Sequence, residues 1–425
     1  MRREPPHERP WLAIGIRTPQ SSGHTRRAIV TEPRHVGRDA GSMTPPVTRR
    51  LLSIGHSYVV AQNRRLAHEM ALEGQGMWDV TAAAPQHLRG DLRTIELEPI
   101  EGEACRVVPL GMKLGSWAHA RRYDGRLRTL LAQRWDVVHV WEEPYVAAGA
   151  QIASGAPRSA AVVPATFQSL VKRYPPPLGY FERRVMRRAA GWIAFGQTVH
   201  EALRERELYA RRPVRVIPPG VDLTCFRPDR DARTSVRARL GWPDPLPVVG
   251  FLGRFVPEKG LALLMEVLAD LKSPWRALFV GGGPMVADLE AFARRFPNRV
   301  RVLTGVSHDE VPAYLNAMDL LCAPSQTTAR WREQFGRMLI EGMACGVPVV
   351  ASRSGEIPHV VGDAGVLLDE RDASAWRAAI DRVLASPEVG AGLTTRGLER
   401  VRCRYAWPVV ARAHLSFFNE LLDSR

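Results

Sequence analysis

Lysine is nearly absent from these 425 residues: Lys113, Lys172, Lys259 and Lys272 are the only ones, so almost all of the 59 basic side chains are arginines. Such a skew reflects genome composition more readily than a nucleic-acid surface, and nucleic acid is not expected as a partner. Cysteine is scarce too. Cys105, Cys225, Cys322, Cys345 and Cys403 are odd in number, widely spaced and mostly set in apolar surroundings, which fits reduced thiols in a cytosol better than a disulfide framework. No CxxC or His/Cys spacing suits a metal, and no metal or other cofactor is expected. No apolar run approaches the roughly 18 residues that a spanning helix needs, which excludes a membrane bundle. GxGxxG is missing as well, and Pro284 in GlyGlyGlyPro at 281–284 argues against a nicotinamide loop. No Ser/His/Asp or Cys/His arrangement suggests a covalent nucleophile.

What is present is a positive balance, formally +15, with +8 in residues 49–225 against +3 in 226–425. Lys172, Arg173, Arg183, Arg184, Arg187 and Arg188 crowd one stretch against the single acid Glu182, interleaved with Tyr174, Tyr180, Phe181 and Trp192. That mixture suits an anionic membrane surface, with a solvated helix face as the competing reading. Residues 1–48 are rich in Pro, Arg, Gly and Ser, and their apolar patch, Trp11 to Ile16, is too short for a secretory core. They read as a disordered extension. Met43 offers an alternative start, which leaves open whether residues 1–42 are translated, and an organellar transit peptide is a weaker option.

From Arg50 onward, short β-type runs alternate with longer amphipathic stretches: 50–55, 78–83, 105–109, 136–141, 159–165, 191–196 and 214–217. Their continuous Val/Ile/Ala content, without strict polar alternation, indicates strands buried on both faces of a parallel sheet covered by helices. Gly, Pro and a charged run between Pro218 and Pro247 break this rhythm, and a second series follows at 248–253, 276–282, 299–304, 319–324, 347–351 and 365–368. The fold class is therefore α/β, two facing Rossmann-like doubly wound parallel-sheet domains. The first spans 49–225 and the second 226–405, and 406–425 forms a last helix packing back toward the first. Ligands of such sheets bind beyond the carboxyl ends of the strands, so chemistry is expected between the domains.

Two windows carry the chemistry. Residues 333–341, GluGlnPheGlyArgMetLeuIleGlu, run from a loop into a helix. Glu333 precedes the helix and Glu341 lies inside it, so the two acids reach different parts of one extended ligand. The N–H groups of Phe335, Gly336, Arg337 and Met338 at the positive helix end suit a diphosphate, and Gly336 leaves room for it. At 253–260, GlyArgPheValProGluLysGly, Arg254 and Lys259 flank the loop after a parallel strand, where two cations would bind a diphosphate and neutralise it as it departs. Two other features read as structural. Asp229 and Asp231 belong to a solvated linker, and Ser307 with Glu310 forms a helix cap.

Six ordered pieces then resemble the family 4 glycosyltransferases, also described as glycosyl transferases group 1, which are retaining enzymes of the GT-B fold. They are ValIleProProGlyValAsp at 216–222, the 253–260 window, ValGlyGlyGlyPro at 280–284, the Glu333/Glu341 motif, CysGlyValProValVal at 345–350 and SerGlyGluIlePro at 354–358. The resemblance covers roughly 50–425. It implies that Glu333 contacts the donor sugar and Glu341 the ribose, and that Arg254 and Lys259 bind phosphate. It further implies that the backbone from Phe335 through Leu339 follows the diphosphate, with Gly253 beside it, and that Thr304 to Val306 lies beside the base. The donor would be a nucleotide-diphosphate sugar. The acceptor is an unidentified hydroxyl: the basic first domain points to a lipid-linked one, in polysaccharide or glycolipid assembly at the inner face of a bacterial membrane, with soluble small acceptors as the alternative.

The first domain departs from the family pattern. The loop after its first strand reads Gly55, His56, Ser57 where a Gly pair is usual, and Trp141 stands where a His facing the sugar is expected. His56, Trp141 and Glu142 are the sugar- or acceptor-facing candidates, Glu143 competes with Glu142, and His139 is expected to be structural. A nucleotide-sugar epimerase or hydrolase of the same fold, and a non-catalytic membrane-surface module, are the alternative functions.

Overall fold

Strands whose side chains are apolar on both faces need cover on both, and that requirement shapes the whole chain. The computed structural model describes residues 48–89, 94–113, 119–243 and 245–425; Met43 and nearly all of the extension read as disordered lie outside them. The first sheet holds β1 (Arg49–Ile54), β2 (Trp78–Pro85), β3 (Arg106–Leu110), β4 (Val137–Val140), β5 (Ala161–Thr166), β6 (Trp192–Ala194) and β7 (Val214–Val216). The second holds β8 (Val248–Arg254), β9 (Arg276–Gly282), β10 (Val300–Leu303), β11 (Leu320–Ala323), β12 (Val349–Ser352) and β13 (Gly365–Leu368). All pairings within both sheets are parallel.

Spatial order is β7-β6-β5-β4-β1-β2-β3 in the first sheet and β10-β9-β8-β11-β12-β13 in the second. Strand order therefore reverses between β1 and β4, and again between β8 and β11. At each reversal the connecting helices leave on opposite faces, which opens a crevice at the carboxyl ends of the strands. The expected site loops follow these strands: Gly55 and His56 after β1, Glu142 after β4, and the Arg254 to Lys259 loop after β8.

Four of the covering helices position the site: α1 (Ala61–Glu73), α2 (Leu178–Arg188), α3 (Arg337–Ala344) and α4 (Trp407–Asp423). The chain crosses between the sheets twice. The crossings pair with each other, Val221 N–H donating to Tyr405 O at 2.8 Å and Trp407 N–H to Val221 O at 3.3 Å. Past that point α4 lies against α1 and the first sheet. Arg412 meets Glu73 at 2.9 Å, and Arg425 donates to Ser159 O at 2.9 Å. Two short antiparallel hairpins, His87–Arg89 with Thr94–Glu96 and Met112–Lys113 with Arg122–Tyr123, were not expected, because runs of two or three residues leave no periodic signature. All five thiols are free.

Beneath the β1/β4 crevice, α4 closes the core over two fully buried histidines. His139 Nδ1 is 2.8 Å from Ser53 Oγ, and His414 Nδ1 is 2.8 Å from Val410 O. The rings meet edge to face at 5.4 Å, with Trp141 and Phe418 around them, and both Nε2 atoms lack a partner. Burial pushes His414 down to about 4, and burial with the neighbouring His414 holds His139 well below the ordinary imidazole range. Both rings are neutral when folded and take up a proton near pH 6.5 when unfolded, so their stabilisation is present above that pH and is lost as pH falls toward 4. The urea midpoint of the wild type is expected to drop between pH 7 and pH 5. In His414→Leu the dependence is expected to be shallower, by up to about 1.4 kcal/mol per pH unit. An unchanged slope in that variant would mean that His414 is protonated in the native state.

Candidate functional site

The second-domain half of the site is built by glycines that let loops touch. Gly260 follows the short helical turn Pro257–Lys259 with φ 70°, and a Cβ there would lie 1.8 Å from Pro324 O, so only glycine lets the β8 loop pack on the β11 loop. Gly355, φ 53°, does the same for the β12 loop, since a Cβ would come within 2.0 Å of Glu333 O. The consequence is a buried ion pair. Lys259 Nζ contacts Glu333 Oε2, which also accepts from Ser325 Oγ at 2.8 Å, while the ammonium lies 5.5 Å from the Trp331 ring centre. Sequence reading assigned these groups to phosphate and sugar separately; the structure pairs them with each other. Arg254, at the strand end, is exposed and has no ion pair among the described residues.

Gly336 stands before α3 in the left-handed conformation, φ 79°, and turns the chain so that the start of the helix faces the same cavity. The cavity, about 490 Å³, is lined by Gly253, Arg254, Lys259, Glu333, Phe335, Gly336, Arg337, Met338 and Glu341, with Phe167 from the first domain. Nine residues expected from two separate sequence windows thus share one wall. Leu339 does not line it: its side chain is fully buried and its N–H donates to Gly336 O at 2.9 Å, which removes that amide from a ligand. Nor do Thr304 and Val306, since the chain beyond edge strand β10 turns into a short helix capped by Ser307 and Glu310. That turn brings His308 and Val311 to the cavity instead. Asp229 caps the helix Arg230–Arg239 through Ala232 N–H at 2.8 Å.

The first domain supplies the facing wall. From α1, Gln62 Nε2 donates to Glu341 Oε1 at 3.3 Å, and Asn63 Oδ1 accepts from Arg337 at 2.7 Å. After β1, Gly55 is extended, and a Cβ there would lie 2.9 Å from Trp141 Cβ; it is the indole that requires glycine at this position. Trp141 corrects the expectation of a sugar-facing ring. It is 9% exposed and sits in the core with its centre 4.5 Å from that of Phe195, because the aromatic cluster under α4 offers a larger apolar contact than the cleft. Glu142 is buried and accepts from His56 N–H (2.7 Å), His56 Nδ1 (2.5 Å) and Tyr123 OH (2.6 Å). Glu143 accepts from Thr166 Oγ1 at 2.6 Å and Phe167 N–H at 2.7 Å, and burial pushes its carboxyl up to about 7.

In the basic stretch, α2 buries Val185, Met186 and Glu182 and exposes Arg183, Arg184 and Arg187. Lys172 and Arg173 are exposed beside them, with Val171 at 73% and Tyr180 at 59% exposure. Arg188 differs, since it is half-buried and donates to Pro157 O at 2.9 Å. Among the described residues no helix is long and apolar enough to cross a membrane.

Residues not singled out by the sequence reading as site residues tie the domains together. The buried Glu356 carboxylate accepts from Gln197 N–H (2.7 Å), Thr198 N–H (2.8 Å) and Thr198 Oγ1 (2.6 Å) across the cleft. Gln334 reaches Phe167 O at 3.2 Å, and Arg332 reaches Ser169 O.

The chain matches the family model "Glycosyl transferases group 1" over residues 232–399 and "Glycosyltransferase Family 4" over 62–224. It is 36% identical over 218 residues to the GDP-mannose-dependent alpha-(1-6)-phosphatidylinositol monomannoside mannosyltransferase of Mycolicibacterium smegmatis, covering 49% of this chain and 56% of that protein. The match to a D-inositol 3-phosphate glycosyltransferase of Xylanimonas cellulosilytica likewise spans only 52% of that relative. With the D-inositol 3-phosphate glycosyltransferase of Salinispora tropica it is 30% identical over 366 residues, 78% of this chain and 71% of that protein. Among solved structures, the sucrose-phosphate synthase of Thermosynechococcus elongatus superposes with TM-score 0.67 at 21% identity, over 89% of this chain and 100% of that one. Anabaena HepE in complex with UDP and glucose gives 0.65 at 19%, over 88% and 100%. These two likenesses establish the shared fold.

Removing the Glu356 carboxylate would strand three donors at the domain contact. Glu356→Ala is expected to lower stability by about 2–4 kcal/mol in urea denaturation, and a loss below about 1 kcal/mol would mean that water replaces the carboxylate at no cost.

Proposed function

This chain belongs to the family 4 glycosyltransferases of GT-B fold, and on that footing we propose that it transfers a hexose from a nucleotide-diphosphate sugar to an acceptor hydroxyl with retention, without a metal ion. The observation that carries this reading is the convergence of Arg254, Lys259, Glu333, Glu341 and the start of α3 on one cavity between the domains.

In the proposed step the bond between the anomeric carbon and the donor phosphate oxygen breaks as the acceptor oxygen bonds to that carbon from the same face. The acceptor proton passes to the departing phosphate oxygen, so no side-chain nucleophile or base is required. Arg254 and the positive end of α3 stabilise the diphosphate as its charge grows. Lys259 does so from a buried position while orienting the Glu333 carboxylate toward the sugar hydroxyls. Glu341 holds the ribose. GDP-mannose, named for the mycobacterial relative, is the first donor to test. The inositol-phosphate and phosphatidylinositol acceptors of the relatives direct attention to an acceptor of polar-headgroup type, used in glycolipid or polysaccharide synthesis. The exposed face formed by Val171, Lys172, Arg173, Tyr180, Arg183, Arg184 and Arg187 would hold the first domain at the anionic cytoplasmic surface that carries such an acceptor.

Arg254→Ala is the clean test, because that side chain is exposed and its loss leaves no group stranded. Turnover is expected to fall by about 100-fold or more with an unchanged melting temperature, and a near-normal rate would remove the mechanism. Lys259→Ala is less clean, since it abandons the buried Glu333 and is expected to cost about 3 kcal/mol or more of stability. Reversing Arg183, Arg184 and Arg187 to Glu is expected to weaken sedimentation with phosphatidylglycerol-containing vesicles on the order of 100-fold. Unchanged binding would leave that face as a solvated helix surface.

A further inference from the structure

The transfer scheme above gives no role to the imidazole that follows β1. His56 opens the turn after β1, in the crevice where strand order reverses, and the Glu142 contact bridges that crevice from the end of β4. Three donors converge on Glu142: the His56 main-chain N–H, the His56 ring at Nδ1, and the Tyr123 hydroxyl. A carboxylate so engaged accepts from all three and fixes the ring with Nδ1–H toward itself. The ring is 36% exposed, and its Nε2 makes no hydrogen bond to another described residue.

Two paths of contact link this loop to residues of the donor cavity. On one side, Ser57 O accepts from Asn63 Nδ2 at 3.1 Å, and Asn63 in turn holds Arg337, the first residue of α3. On the other, Glu143 is bonded to the N–H of Phe167, which lines the cavity. The residues next to His56 and next to its partner Glu142 are thereby joined to the first residue of α3 and to the cavity rim. A pair of glycines in this loop would offer main-chain amides to an anion; this chain has a side chain instead.

We propose that the imidazolium of His56, oriented by Glu142 and Tyr123, donates from Nε2 to the departing diphosphate, so that the first domain supplies a third cation to the set formed by Arg254 and Lys259. This rests on the donor-site reading given above. His56 stays protonated throughout the step, and the acceptor proton still goes to the phosphate oxygen. Glu142 and Tyr123 are positioning residues. The charged groups around the ring favour its protonated form: Glu142 raises its pKa most, through charge and a hydrogen bond, Glu143 adds to this, and burial and Arg121 oppose it. Tyr123 stays neutral, since burial pushes its phenol well up.

Calorimetric titration of the full chain with GDP, UDP and ADP between pH 5.5 and 8.5 tests the proposal, using the wild-type to variant affinity ratio so that ionisation of the nucleotide cancels. His56→Gln is expected to bind the preferred nucleotide about tenfold more weakly at pH 6, with the ratio falling toward one as pH rises. Glu142→Gln is expected to move the midpoint of the wild-type dependence to lower pH, which a merely structural role would not do. Melting temperatures without nucleotide establish that both variants fold. If the His56→Gln ratio is flat with pH while Arg254→Ala weakens binding, His56 does not touch the diphosphate and the donor site stands. If no nucleotide binds the wild type, or Arg254→Ala binds as tightly as wild type, the donor-site reading itself falls and this inference with it.

Discussion

The candidate cavity depends on one buried contact between an ammonium and a carboxylate. Lys259 and Glu333 lie 74 residues apart and come from loops that follow different strands, and neither charge would tolerate burial alone. Each loop is therefore held in place by the other. The pairing is geometrically available only because Gly260 and Gly355 carry no Cβ where neighbouring carbonyl oxygens approach within 1.8 and 2.0 Å of that position. With Oε2 taken by Lys259 and Ser325, Glu333 Oε1 has no protein partner among the described residues, and one oxygen of an ordered carboxylate remains for a ligand.

From that anchor the rest of the cleft follows in layers. Gly336 turns the chain into α3, α3 presents Arg337 and Glu341, and these two meet Asn63 and Gln62 of α1. At the hinge side a second carboxylate, Glu356, binds the main chain of the first domain through three hydrogen bonds. The two domains are thus joined by a few directional polar contacts and two chain crossings, while their apolar cores stay separate. An interface of this kind favours relative motion over permanent fusion.

Burial also divides the basic side chains of the molecule by task. Arg64 and Arg237 are buried and bonded to carboxylates or carbonyl oxygens, where they stitch the core together. The arginines of α2 lie beside exposed Val171 and Tyr180 and face solvent. Lys259 differs from them: its ammonium lies between a buried carboxylate and an indole.

Both sheets and their strands could be read from runs of apolar residues, because strand formation and helical cover are local consequences of periodicity. The two windows at 253–260 and 333–341 were likewise legible, since glycine spacing and acid placement around a helix start are properties of contiguous residues. Trp141 was misread for a physical reason: local pattern placed it at a strand end, but the apolar surface offered by α4, more than 250 residues later, drew its ring inward. The extra hairpins, Tyr123 beneath Glu142, and the Gln62, Asn63 and Glu356 contacts had no local signature at all. Residue order by itself established the architecture and pointed to the carboxyl edge of the strands as the candidate site. Which charges face each other across that edge was decided only by folding, because partners as far apart as the 279 residues between Gln62 and Glu341 acquire their geometry from the packing of whole domains.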